Sequence, residues 1–115
     1  MQFNQIETVT IQILQDAEGS FLFPYQIFNR IENSNPSLGK QIEDAYPTES
    51  NKPIMDEGAG IYYSAASFVA QALNNFKNIH PEIKKEWVDS NDIKVEGIIP
   101  GNKEGASIWA WKKGA

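Results

Sequence analysis

Cysteine is absent from this chain, and histidine and arginine occur once each, as His80 and Arg30. Without thiols there is no disulfide framework, no thiolate metal site and no cysteine nucleophile. With His80 alone, a zinc site built from two or three imidazoles is excluded within one chain, as is H-E-x-x-H chemistry. No run approaches the roughly 18 apolar residues that a membrane-spanning helix needs. The first fifteen residues carry neither the basic stretch nor the continuous apolar core of a secretory leader. The expectation is a soluble, cytoplasmic protein with no cofactor and no membrane partner. Cationic charge is also scarce in one part of the chain. Residues 1–76 hold three basic groups against nine acidic ones, whereas residues 77–115 hold seven lysines against six acids, so a net charge of −5 conceals a near-neutral last third. Affinity for nucleic acid rests largely on Lys and Arg neutralising phosphates, which the chain as a whole is poorly equipped to do.

What is present is the material of one domain. At 115 residues and 41% apolar content, the chain can build a hydrophobic core and is not disordered throughout. Ile6, Val9, Ile13, Leu14 and Ala17 form a helical stripe, while Val9, Ile11 and Ile13 alternate with polar residues as a strand would. The longer stripe favours a helix, with Gly19 as its stop. Ser20–Phe23 reads as a brief strand. Pro24 suits the first position of a second helix with Ile27, Phe28 and Ile31 inward. Asn35 and Pro36 then supply an N-cap and first position for a short helix through Ile42, ended by Pro47. Residues 46–60 form the least structured stretch, a loop long enough to draw attention. From Ser64 to Lys77 the residues Ala66, Val69, Leu73 and Phe76, preceded by Tyr62, form a full core-facing stripe. Pro81 opens a predicted short helix with Ile83 and Trp87 one turn apart. Ile93 and Val95, the turn residues from Ile99 to Gly105, and Ala106–Trp111 predict a C-terminal β-hairpin. In its last strand Ile108, Trp109, Ala110 and Trp111 are all apolar, so both faces are expected to be covered or adhesive.

The predicted fold class is therefore α+β: a small helical domain with a short first strand and a C-terminal hairpin. This order, from Ile6 to Trp111, resembles the winged helix-turn-helix superfamily. In that resemblance Ser20–Phe23 is the first strand, Ser64–Lys77 takes the recognition-helix position and Pro100–Gly105 is the wing tip. Two departures accompany it. A helix and loop are inserted at about 35–60, where a short turn is usual, and a further helix precedes the hairpin.

Four groups of residues are candidate sites. Ser64, Ser67, Gln71, Asn74 and Asn75 are expected on the outer face of the Ser64–Lys77 helix, where Asn and Gln could read base edges, although arginine, the commonest guanine reader, is missing. The competing reading is an ordinary solvated face. Lys103, with Lys94, Lys112 and Lys113, could touch phosphates, or could simply protect exposed strand edges from aggregation. Trp87, Trp109 and Trp111 form a third group, in which Trp109 and Trp111 lie on one side of a strand, as a binding hot spot or as core. The segment Asp56-Glu57-Gly58-Ala59-Gly60 meets neither a phosphate-loop nor a calcium-loop pattern. His80 reads as a turn residue, and no catalytic constellation is visible.

Three functions remain. The first is a non-catalytic, regulatory interaction module that binds a protein partner, motivated by the acidic N-terminal part, the aromatic last strand and the long loop. The second is a DNA-binding winged-helix regulator, motivated by element order and the Gln/Asn face. The third, residual, is a small enzyme or ligand binder. A homodimer through the Ile108–Trp111 strand is also compatible with the sequence.

Overall fold

The computed structural model describes residues 1–46, 54–55, 65–89, 99–100 and 105–113. A single 3-10 turn, Phe3–Gln5, leads into α1 (Glu7–Asp16), followed by α2 (Pro24–Ser34), α3 (Pro36–Ala45), β1 (Ile54–Met55), α4 (Ala65–Lys77), β2 (Ile83–Asp89), β3 (Ile99–Pro100) and β4 (Gly105–Trp111). The protein is thus a small α+β domain with four helices and a C-terminal antiparallel hairpin.

In α1 the competition between helix and strand is decided by the stripe. Ile6, Thr10, Ile13 and Leu14 are buried on one helical face. The helix ends where Glu18 and Gly19 both take positive φ, 53° and 88°, a turn of the backbone that glycine makes without steric cost. The chain then reaches Leu22, which forms an isolated antiparallel bridge to Trp109 of β4. That bridge is all that forms of the expected first strand. In α2, Pro24 occupies the first turn, and the Phe23 N–H donates to Gln26 Oε1 at 2.8 Å, holding the entry to the helix. Asn35 caps α3 as anticipated, its Oδ1 accepting from the Leu38 N–H at 3.2 Å. α2 and α3 touch closely at Gly39: a Cβ there would lie 2.9 Å from Glu32 Cα and 2.7 Å from its Cγ.

α4 lies at the centre. Every residue from Ala65 to Ala70 is buried, followed by Ala72, Leu73 and Phe76. A helix apolar on all sides belongs inside a core, and Phe68 meets Tyr46 in a stacked contact at 4.6 Å and Phe3 in a tilted one at 5.5 Å. Apart from the buried Ser67, the polar residues of α4 fall in its last two turns.

The helix expected at Pro81–Trp87 does not form. His80 to Glu82 make a turn, and Ile83–Asp89 is a strand paired antiparallel with Gly105–Trp111, register Ile83↔Trp111 through Asp89↔Gly105. A spacing of four residues between Ile83 and Trp87 is compatible with both periods, two and 3.6. Pairing with the apolar Ile108–Trp111 run, distant in sequence, settles the choice for strand. The hairpin therefore starts earlier than the sequence implied. The expected first strand around Ile93 and Val95 lies outside the described residues, as does most of the 46–60 stretch, although Ile54–Met55 pairs in parallel with Ile99–Pro100.

Candidate interaction surface

The sequence candidates disperse in three dimensions. Ser67 is buried within α4, so it presents nothing to a partner. Trp109 is wholly buried: its indole Nε1 donates to Ser107 Oγ at 2.9 Å, and the Lys85 ammonium stands 5.3 Å from the ring centroid. The hot-spot reading of Trp109 is therefore corrected to core. Burying a large aromatic whose N–H finds an acceptor is the favourable way to use tryptophan inside a small domain. Trp111, on the same side of β4, is half-buried. It faces the His80 ring at 5.9 Å and borders an open groove of about 680 Å³ shared with Gln15, Glu18, Gly19, Lys112 and Lys113. Ser64 and Lys103 lie outside the described residues.

Three candidates do come together at the polar end of α4. Gln71 and Asn74 are half-buried and Asn75 is exposed. Asn74 Oδ1 accepts from the Lys85 ammonium at 3.2 Å, which ties the helix end to β2. His80, expected only to turn the chain, bridges from that turn to α1, its Nε2 lying 2.9 Å from Glu7 Oε2.

Trp87, grouped with the other two tryptophans in the sequence but expected on a helix, is the aromatic that reaches the surface. It stands mid-strand in β2 and is 47% exposed, one of three large apolar side chains left in the open among the described residues, with Met1 and Ile79. Its cross-strand neighbour is Ser107, too small to cover it. The four-residue spacing of Ile83 and Trp87 was read as helical, which hid that they share one face of a strand.

The hydrogen-bond phase of the hairpin shows what surrounds Trp87. The main-chain N–H and C=O of Trp109 are both bonded to Leu22, at 2.9 and 2.8 Å. Trp109 therefore bonds away from β2, and Lys85, directly opposite it, must bond away from β4, because successive residues of a strand alternate in direction. The Lys112 N–H donates to Glu82 O at 2.8 Å, in the same phase. Lys85 and Trp87 consequently turn their main-chain donors and acceptors to the outer edge of β2, where no described residue bonds them.

Among the described residues one carboxyl is shifted, and it lies elsewhere, between α2 and α3. Burial, then the charge of Glu43 and a hydrogen bond with it, push the Glu32 carboxyl above the usual range. Among the described residues no group of three or more His, Asp or Glu side chains could hold a metal ion, and no helix is long and apolar enough to cross a membrane. Compared with protein-family models, with curated proteins and with solved structures, the chain matches none.

Proposed function

We propose that this chain is a non-catalytic interaction module, laid out like a winged helix, that binds a protein partner. The layout is supported by the order of α1, the Leu22 bridge, α2, α4 and the hairpin, with Leu22 on the side of β4 away from β2. The observation that carries the choice of partner is the burial of Ala65–Ala70. A helix that reads a DNA groove must offer side chains of its first turns to base edges, and those turns of α4 are committed to the core. The exposed indole of Trp87, by contrast, is the kind of side chain that dominates protein–protein contacts.

Binding of DNA is the second reading, and one observation favours it: Asn74, Asn75 and Lys85 gather at one end of α4. Against it stand the net charge of −5 and the single arginine. Fluorescence-anisotropy titration with labelled mixed-sequence duplex DNA, at low and at moderate salt, separates the two. The protein-binding reading expects no saturable binding even at low salt, where electrostatic affinity is strongest. Saturable binding that falls steeply with added salt would replace it with the DNA reading.

A further inference from the structure

We propose that the outer edge of β2 pairs with the same edge of a second copy of this chain, antiparallel, about a two-fold axis at Trp87. The proposal rests on the protein-binding reading and names the partner.

The first ground is backbone chemistry. Lys85 and Trp87 direct their N–H and C=O groups outward, as the bonding of Trp109 to Leu22 requires. An edge of this kind is a template for another strand unless something prevents it. Its acquisition would turn two hairpins into one continuous four-stranded sheet, above the size at which sheets become independently stable.

The second ground is register. A two-fold axis between neighbouring antiparallel strands sets some residue opposite its own copy and the flanking residues opposite one another. Centred on Lys85 it opposes two ammonium groups, and centred on Glu86 it opposes two carboxylates. Like charges directly opposite are destabilising. Centred on Val88 it leaves only Trp87 to Asp89 of β2 paired. Centred on Trp87 it opposes the two indoles, sets Lys85 opposite Asp89 twice, and sets Glu86 opposite Val88, with no like charges facing. This is also the register that covers the one large apolar side chain that β2 leaves exposed. An aromatic pair at the centre with charges of opposite sign around it is the usual anatomy of a hot spot and its rim.

Lys84 and Lys85 could instead serve as edge protection, keeping the chain monomeric. Sedimentation equilibrium of the full chain across a range of concentrations decides between them. The proposal expects a reversible monomer–dimer equilibrium. Trp87→Ser raises the dissociation constant by about 30-fold or more with the far-ultraviolet circular dichroism unchanged. Lys85→Asp also weakens the dimer, and adding Asp89→Lys to it restores affinity, a rescue that does not involve position 87 and so survives any folding defect there. A chain that is monomeric at every concentration overturns the proposal, as does a dimer indifferent to Trp87→Ser and to the charge exchange. A monomer that nonetheless binds a foreign protein through Trp87 overturns the two-fold pairing and leaves the protein-binding reading intact.

Discussion

Thr10 is buried in α1, and among the described residues its hydroxyl has no hydrogen-bond partner. An unpaired buried hydroxyl carries its desolvation cost with nothing in return. Thr10→Val keeps the shape and removes the oxygen, so the variant should gain about 1 kcal/mol in denaturant unfolding. At Glu32 the expectation concerns pH. Burial first and the Glu43 charge second raise its carboxyl pKa in the folded state. A folded pKa above the unfolded one means that ionising Glu32 disfavours the fold. The penalty is full above the raised pKa and is relieved as pH falls through it. Glu43→Gln removes the facing charge and should therefore stabilise the protein at neutral pH by roughly a few tenths of a kcal/mol, the scale of exposed charge interactions. The gain should vanish in acid, once Glu32 is neutral and has no charge to repel. Unfolding curves of the two proteins at neutral and acidic pH check the sign; a gain that grows in acid would contradict the assignment.

At the scale of elements, the contact of α2 with α3 depends on an absent side chain. A Cβ at position 39 would overlap the Glu32 backbone at 2.9 Å, which the helix must move to relieve. Gly39→Ala should lower stability by about 1–3 kcal/mol, as overpacking does, even though alanine is the better helix former. Thermal unfolding checks it, and a rise in midpoint would show that the two helices are not in contact there. The elements also mark where local signals sufficed. Pro24, Asn35 with Pro36, and Gly19 each specify a boundary by their own chemistry, and the structure has the boundaries where they imply. The stripe from Ala66 to Phe76 announced α4, but not that Ser67 and Ala70 would also be buried, because the surroundings of a helix are a tertiary matter. β2 was the failure: the four-residue spacing of Ile83 and Trp87 and the preceding proline read equally well as a helix until β4 is beside it.

For the whole molecule, charge and burial point the same way. Acidic groups outnumber basic ones, α4 spends its first turns inside the core, and the exposed tryptophan lies on β2 instead. Of the candidate site, the sequence made the polar end of α4 legible through Gln71, Asn74 and Asn75. The core reading of Trp109 holds, but the sequence could not show that Trp87 stands on a strand with its face open, since only the pairing with β4 decides that. The central claim is that β2 offers to a partner strand an outward-facing edge at Lys85 and Trp87 that no described residue pairs. Residue-resolved amide hydrogen exchange at low and at high protein concentration tests it most directly. The account predicts that at low concentration Lys84 and Glu86, bonded to β4, exchange slowly while Lys85 and Trp87 exchange fast, and that protection of Lys85 and Trp87 rises with concentration. Slow exchange at Lys85 and Trp87 with fast exchange at Lys84 and Glu86, or an edge whose protection never changes with concentration, would contradict it.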